Sequence, residues 1–423
     1  MPVASRALHG EALYGWAFSA FLLGQLIGIV VAGSDSDVRG PKRAYLFGLA
    51  TFGGGLLACG IAPTMALLVV SRFVAGIGSG AVLLLNWALI GRCYTEALRP
   101  RMLAIASSAW VIPGLVGPAI AGAVADHASW RFVFLGLVPV VAVVGILLRA
   151  HIDLGPVVAL RESAAADRFW DATARQRNLA SVEIAIGAGL LLGGVSSTRL
   201  FVAVPLVVGG AILLVHAAPV LFPRGTLRAQ PGLPAVVAGY AGLLSAFVGI
   251  EAFLPLVLDR VHHVSATVAG LILSGGTVSW SIGSWVQAKN PGRWARTRSR
   301  SAAIALFASG IGVAATLTVA SLPALIGYIA WSLGGIGMGI AFTEVSDATF
   351  RVVDEAHVGV ASSATQLAGS LGGALVAGIN GAVIAAVDRT HPSSTVGLRT
   401  AFALDVGVAL LALAASRRIS EAS

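Results

Sequence analysis

The sequence predicts an all-helical protein embedded in a membrane, and three observations lead to this fold class. Hydrophobic residues make up 57% of the 423 residues and charged residues only 11%, whereas roughly a quarter of a soluble domain is charged. Apolar runs of about 17 to 25 residues, the length that crosses a bilayer core, recur along the chain. The basic residues lie mainly between alternate apolar runs, as in multi-pass membrane proteins.

Each apolar run is expected to be a helix, because a strand edge exposed to lipid leaves backbone groups without hydrogen bonds. Thirteen spans are predicted, at residues 14–33, 44–62, 64–91, 102–125, 132–148, 182–198, 200–223, 233–257, 265–288, 301–319, 322–345, 358–386 and 401–416.

The basic residues also predict the orientation of the chain. Of the 28 lysines and arginines, 21 follow odd-numbered spans, 6 lie on the other side, and Arg72 falls within a span. Because basic loops stay in the cytoplasm, the C-terminus is predicted to be cytoplasmic and the N-terminus, as given, external. Arginine outnumbers lysine 26 to 2, which indicates a GC-rich genome and therefore a bacterial plasma membrane.

Several function classes are excluded by the same sequence. The net charge of +9 comes from residues between the spans and forms no basic face, so nucleic-acid binding is not expected. Cys59 and Cys93 form no CxxC pair, and they are expected to be free thiols. There is no Walker sequence, no nucleophile elbow and no metal-ligand cluster. The chain is therefore predicted not to be an enzyme and to need no cofactor or metal.

The predicted spans fall into four segments. Residues 1–148 hold five spans, and residues 149–181 form a polar stretch interpreted as a cytoplasmic linker or surface helix. Residues 182–223 are expected to form a helical pair that turns at Ser196–Arg199, and residues 224–423 hold six further spans. The charge distribution alone does not establish that the pair spans the membrane, but its length favours spanning.

The stretch GSDSDVRGPKR, residues 33–43, has more charge than a short connection between two spans requires. A glycine at residue 33 allows two helices to approach closely, and one at residue 40 permits a backbone turn that other residues resist. A fixed acid in this stretch is able to meet a helix N-terminus or an arginine. The candidate gating residues are Gly33, Asp37, Arg39, Gly40, Lys42 and Arg43. The alternative is a charged loop that only follows the orientation rule.

Two spans in the first segment carry unusual residues. Arg72 lies one to two turns inside span 64–91, where a charge is costly unless it faces a partner, a cavity or the membrane surface. The run PGLVGPAIAG in span 102–125 supplies Gly114, Gly117, Pro118 and Gly122. The proline is expected to kink the helix and the glycines to permit close packing; a simple packing seam is the alternative.

These motifs carry a family resemblance that covers nearly the whole chain. GSDSDVRGPKR resembles the GxxxDxxGxKR loop of the major facilitator superfamily, although Val38 stands where an arginine is usual. PGLVGPAIAG looks like the GPxxG motif of its drug:proton antiporters, and SWRFVFLGLVP, residues 129–139, resembles the WRxxFxxNxP motif of the fourteen-helix branch. GSWVQAKNPGR, from residue 283, is similar to a weakened second copy of the loop, with Gln287 in the position of the acid.

The resemblance implies a fold of two helical bundles with an extra central pair. In the family the GxxxD loop follows the second helix, whereas here it follows the first predicted span. The first bundle is therefore expected to contain five of its six helices. A start codon placed downstream of the true one and a natural truncation both explain the missing helix.

Residues for proton coupling or for a substrate cavity are sought among polar groups inside the spans. Glu251 lies several residues inside span 233–257, and Asp405 lies one turn into the last span. A buried carboxyl group suits a proton carrier, but Glu251 near the outer end of a span has the alternative of reaching external water. Asn86 and Trp110, with Arg72, are the further cavity candidates.

The resemblance implies a secondary transporter, in which proton-coupled efflux of small amphipathic and cationic compounds or drugs proceeds by alternating access. Its expected partners are the small molecule, protons and membrane lipid, and the chain is expected to act as a monomer. Transport of a specific metabolite is one alternative. A truncated membrane protein that transports nothing, or a sensor, is the other.

Overall fold

The computed structural model describes residues 1–93, 98–151, 173–289, 296–353, 358–391 and 395–419. These residues form fifteen α-helices and three short 3-10 turns. The helices are α1 Pro2–Ala7, α2 Tyr14–Arg39, α3 Pro41–Ile61, α4 Met65–Cys93, α5 Arg99–His127, α6 Trp130–Leu135, α7 Val138–His151, α8 Ala174–Ser196, α9 Leu200–Leu221, α10 Leu233–His262, α11 Ala266–Lys289, α12 Arg296–Ala315, α13 Leu325–Arg351, α14 Val358–Thr390 and α15 Val396–Ser416.

The all-helical membrane fold predicted from the sequence is confirmed. Twelve helices of the described residues are long and apolar enough to cross a membrane, with α6 and α7 together forming one of them. A shorter apolar stretch, Val111–His127, belongs to α5. Together they correspond to the thirteen predicted spans.

The predicted loop at residues 33–43 is wrong in its extent, because most of it is helical. Helix α2 continues to Arg39 and α3 begins at Pro41, so a single residue, Gly40, joins the two helices. Gly40 has a φ of +84°, in the region that favours glycine, and proline suits the first position of the next helix. The charged residues therefore extend α2 beyond the apolar span.

Three other helices begin clearly before the predicted spans, and one of them is α12, which begins at Arg296 and not at residue 301. Helix α8 starts at Ala174 and not at residue 182, because Thr173 and Gln176 form a capping box at its N-terminus, which satisfies backbone donors of the first turn. The last helix starts at Val396 and not at residue 401, so Asp405 lies near its middle and not in its first turn. The predicted turn between α8 and α9 is confirmed by their ends at Ser196 and Leu200.

The helices pack in two groups that meet along two helix pairs. Helices α2 to α7 form the first group, in which α5 contacts α6 and α4, and α10 to α15 form the second. Helix α5 packs mainly against α11, and α2 packs against α14 as well as α4. The pair α8 and α9 packs together, and α8 contacts both α2 and α14.

Glycines hold α2 and α4 unusually close. A Cβ added at Gly28 would lie 2.0 Å from the Ile77 carbonyl oxygen, and one at Gly80 would lie 2.1 Å from that of Gln25. Small residues at such positions let helix backbones touch in a membrane. The first group therefore has a tightly packed pair, of which α2 also faces the second group.

Candidate transport site and gate

The two helix groups are in contact at the face of the protein where α10 ends and α11 begins. We call this the opposite face, and the face that carries Gly40 the basic face. The predicted GPxxG residues lie in the contact between α5 and α11: a Cβ at Gly122 would lie 2.2 Å from the Ala266 carbonyl oxygen, and one at Gly270 would lie 2.2 Å from that of Pro118. A side chain at either glycine would push the two helices apart.

The other two residues of the GPxxG run differ in their surroundings. A Cβ at Gly114 would lie 2.5 Å from Cγ2 of Thr277 on α11, whereas a Cβ at Gly117 would meet no atom of the described residues within 4 Å. Three of the four predicted antiporter-motif residues are thus brought together against α11. Gly117 is not part of that contact.

Asp126, at the end of α5, binds the first turn of α11. Its Oδ1 accepts a hydrogen bond of 3.1 Å from the backbone N–H of Ala266, and its Oδ2 accepts from the N–H of Thr267 at 2.8 Å and from the Thr267 hydroxyl at 2.6 Å. A carboxylate at a helix N-terminus satisfies free N–H groups and complements the helix dipole. This contact, which the sequence did not predict, ties the first group to the second at the opposite face.

A second contact at the same face joins α2 to α14 and α10. The hydroxyl of Ser19 donates to the Ala374 carbonyl oxygen at 2.6 Å, and the hydroxyl of Tyr14 donates to that of Ala252 at 2.8 Å. A Cβ at Gly15 would lie 2.8 Å from the Cα of Gly381. The backbones of α2 and α14 therefore approach too closely for a passage between them.

Charged side chains surround these contacts in what we call the opposite-face network. Arg6 pairs with Asp259 at 3.0 Å, and Arg260 pairs with Asp388 at 2.8 Å and also with Glu11. Two of the three pairs join the N-terminal residues to α10. Because such partly exposed pairs contribute roughly 0–1 kcal/mol each, the helix contacts above account for more of the closure than the charges do.

On the basic face, the candidate gating residues have mostly local contacts. Gly33 faces Leu84 of α4, whose Cδ2 lies 3.2 Å from a Cβ added there. Arg39 pairs with Asp35, one turn earlier in α2, at 3.1 Å. Lys42 is half-buried and Arg43 is exposed.

The acid of that motif is not among the side chains that the structure describes. The side chain of Asp37, and those of residues 358–359 at the start of α14, lie outside the described residues. The gating role of Asp37 stays a prediction.

The weakened second copy of the loop forms a polar contact inside the second group. The Gln287 amide donates to Oε1 of Glu344, and the Ser299 hydroxyl donates to Oε1 of Gln287 at 3.3 Å. Glu344 is only 5% exposed, and Arg351 lies 3.9 Å from its Oε2. Gln287 thus links α11 to α12 and α13 through an amide where the first copy has an acid.

Arg72 finds partners on α2. Its Nε donates to the Ala17 carbonyl oxygen at 3.1 Å, and its guanidinium lies 4.4 Å from the centre of the Phe21 ring. A buried guanidinium is stabilised by such carbonyl and aromatic contacts. Arg72 therefore fixes α4 to α2 in this structure.

The other two cavity candidates of the first group are only partly described. Asn86 is exposed and accepts a hydrogen bond of 2.5 Å from the Tyr45 hydroxyl. The Trp110 side chain lies outside the described residues. The pocket role of both stays a prediction.

Glu251 is the one exposed residue of the thirty in α10, all of which the structure describes. Leu244 and Phe247 precede it by seven and four residues and therefore share its face of the helix. Because the other faces of α10 are covered by α14, α15 and α13, exposure at this one position indicates an internal space between helices. Glu251 therefore lies on the one face of α10 that the neighbouring helices leave uncovered.

An aromatic cluster lies beside Glu251 on the same face of α10. The ring centres of Phe247 and Trp280 are 4.9 Å apart, and Phe247 stacks on Trp331 at 5.2 Å. Phe342 lies 5.2 Å from both Trp280 and Tyr240. The cluster joins α10, α11 and α13, and edge-to-face and stacked pairs of this kind hold a fixed geometry.

Asp405 does not share this space. It is fully buried, and its Oδ1 accepts a hydrogen bond of 2.9 Å from Nδ2 of Asn380, which is also fully buried. Sequence reasoning missed Asn380, although an amide among small residues in a membrane span was an available signal. Glu251 and Asp405 are therefore two separate carboxyl sites.

Membrane-length helices in two groups that meet through α2 and α14 and through α5 and α11 define a two-bundle membrane protein. The sequence profile of the Major Facilitator Superfamily matches residues 1–377. The chain belongs to that family, and it is a transporter and not an enzyme.

Related proteins and solved structures agree with this assignment. A probable multidrug-efflux transporter of Mycobacterium tuberculosis is 27% identical over 425 residues, covering 97% of this chain and 88% of that protein. The drug efflux pump JefA of the same organism is 26% identical over 405 residues, covering 91% and 76%. The structure of a D-xylose–proton symporter matches with a TM-score of 0.67 at 14% identity, covering 99% of this chain and 91% of that one.

Proposed function

We propose that this protein exports small amphipathic compounds across a bacterial plasma membrane in exchange for protons, by alternating access. The observation that carries the proposal is the combination of a closed opposite face with Glu251 as the one exposed residue of α10. The efflux relatives support the direction of transport and the substrate class. The chain is proposed to act as a monomer.

The basic face is proposed to be cytoplasmic, since it carries most of the basic residues. The opposite face is then external, and the contacts of Asp126 and Gly122 close the protein toward the outside. Outward release of substrate requires α5 to separate from α11 and α2 from α14. Rocking of two bundles about a central site performs this exchange in transporters built from repeats.

Glu251 is proposed to hold either a proton or the cationic group of a substrate. A carboxylate facing an internal space is stabilised by one positive charge, and a proton and a cation compete for it. The neighbouring aromatic cluster provides apolar and cation–π surface for the rest of an amphipathic molecule. Competition at one carboxyl group couples the release of protons to the binding of substrate.

The test is transport by the purified protein in liposomes with an imposed pH gradient and a fluorescent lipophilic cation as substrate. We expect the wild type to accumulate the dye when the gradient is applied, and Glu251→Gln to lose this dependence on the gradient. Asp347→Asn, which removes an exposed acid at the end of α13, is the matched control and should transport normally. Gradient-driven transport that is unchanged in Glu251→Gln would exclude Glu251 as the exchange site.

The second candidate function is transport of a specific metabolite. The aromatic cluster disfavours it, because sugars and other polar metabolites need more hydrogen-bonding groups than these side chains offer. A panel of polar solutes in the same liposomes tests it. Gradient-dependent uptake of one polar solute, without transport of any lipophilic cation, would replace the efflux proposal.

A further inference from the structure

A second carboxyl site lies inside the second bundle, away from the space that Glu251 faces. Asp405 on α15 and Asn380 on α14 are both fully buried and are joined by the hydrogen bond from Asn380 Nδ2 to Asp405 Oδ1 at 2.9 Å. The third wall is Gly249 on α10, where an added Cβ would lie 2.2 Å from Asp405 Oδ1 and 2.8 Å from Oδ2. Only a residue without a side chain leaves room for the carboxyl group.

Two oxygen atoms of this pair have no hydrogen-bond partner among the described residues. They are Oδ2 of Asp405 and Oδ1 of Asn380, and both are inaccessible to solvent. A buried acceptor without a donor destabilises the folded state, and a buried ionised carboxylate destabilises it further unless a charge pairs with it. Asp405 Oδ2 and Asn380 Oδ1 are both acceptors, and a donor is needed for a hydrogen bond between them.

No charged group in the described residues of the adjoining helices compensates Asp405. On α10, Glu251 lies two residues from Gly249 and so about 200° around the helix, on the other face. Arg260 and Asp388, at the opposite-face ends of α10 and α14, pair with each other. Arg399, at the start of α15, donates to the Thr318 hydroxyl at 2.9 Å.

The remaining neighbour, α12, has its basic residues at its basic-face start. Arg300 is the fifth residue of α12, whereas Asp405 lies near the middle of α15. The surroundings of the carboxyl group are otherwise apolar, with Phe402 and Ala409 on the same helix fully buried. The pair is therefore isolated from the charges at both faces.

We propose that Asp405 and Asn380 form a proton-binding site in which Asp405 is a neutral carboxylic acid. A proton on Oδ2 supplies the missing donor: the acid O–H donates to Asn380 Oδ1 while Asn380 Nδ2 donates to Asp405 Oδ1. The two side chains then form a closed ring with two hydrogen bonds, and neither carries a charge. Proton binding forms one O–H bond and leaves the rest of both side chains unchanged.

Helix α10 thus lies between two carboxyl sites, which face two different sides of the helix. Glu251 projects from one face, and Gly249 on the other forms the cradle of Asp405. Loss of the Asp405 proton would place a charge between α10, α14 and α15, and it would favour any conformation that admits water there. The inference stands without proton-coupled transport; if the exchange proposed above operates, Asp405 adds a second proton site to it.

Infrared spectra of the purified wild type and of single variants, compared at neutral pH, test the proposal. The wild type should show the C=O band of a protonated carboxyl group, and Asp405→Asn should lack that band. Asn380→Ala should shift it, because one hydrogen bond to the acid is lost. Glu251→Gln should retain it, so that loss of transport in that variant and loss of the band remain separate results.

A swap of the two side chains provides the positive control. In Asp405→Asn with Asn380→Asp, the acid moves to α14 and the amide to α15, and the same ring should form again with its carboxyl band. Asp405→Asn alone should be as thermally stable as the wild type, since two amides make both hydrogen bonds. Identical carboxyl bands in wild type and Asp405→Asn, or a swapped pair without the band, would overturn the proposal, as would unfolding of Asp405→Asn.

Discussion

Replacing Asp126 by alanine should destabilise the closed state, in which the two groups are in contact at the opposite face. The change removes the acceptor for two backbone N–H groups and one hydroxyl at the start of α11, at distances of 3.1, 2.8 and 2.6 Å. Among the described residues, no other side chain of the first group binds this helix start, so loss of the contact should weaken the closed state specifically. Membrane insertion should not change, since the apolar spans are intact.

The size of the effect follows from the chemistry of a helix cap. Loss of an N-cap side chain costs about 0.5–2 kcal/mol, and Asp126 is exposed, so water recovers part of the loss. A net change of about 1.4 kcal/mol corresponds to a tenfold change in an equilibrium constant. We therefore expect about tenfold more molecules with the opposite face open.

Distances between spin labels measure this population directly. Labels at Ala128, after α5, and Thr390, at the end of α14, occupy exposed positions at the opposite face. Asp126→Ala should add or enlarge a population at longer distance, and Asp126→Asn should show a smaller effect because its amide oxygen still accepts one hydrogen bond. Unchanged distance distributions in both variants would refute the argument that Asp126 closes this face.

Four further predictions concern other positions. Gly122→Leu should abolish transport while the protein still inserts, because the α5–α11 contact cannot form; normal flux would exclude that contact from the cycle. Asp37→Asn should reduce transport without affecting insertion, and wild-type flux would contradict a gating role. Gly249→Ala should lower stability by about 1–3 kcal/mol through overpacking against Asp405, read as a reduced melting temperature in detergent. A cysteine at residue 1 should react with an impermeant thiol reagent from outside the cell, whereas labelling only after lysis would reverse the orientation.

The spans were predictable because bilayer thickness sets their length, and the turn at Gly40 because only a residue free of Cβ adopts its φ easily. The ends of helices were less predictable. Residues Ala174 to Arg177 belong to the polar stretch that was interpreted as a cytoplasmic linker or surface helix. They form the first turn of α8, which Thr173 caps. The first turn of α15 was missed because Arg399 looked like a loop residue, whereas Thr318 holds it against the protein.

The contacts between distant helices were not predictable from a single sequence. GPxxG indicated close packing, but not that α11 is the partner of Gly122. Asp126 was not singled out from the sequence, because its role depends on how α5 and α11 are placed relative to each other. Asp405 was singled out, yet its partner Asn380 was not, since their pairing depends on the register of α14 against α15.

The one-residue connection at Gly40 has a mechanical consequence. Helix α2 has 26 residues, which gives a rod about 39 Å long at 1.5 Å per residue. A tilt of about 10° around Gly40 moves the far end of such a rod by about 7 Å. That far end carries Tyr14, bonded to the Ala252 carbonyl oxygen, so a small rotation at one membrane surface acts as a lever that separates the bundles at the other.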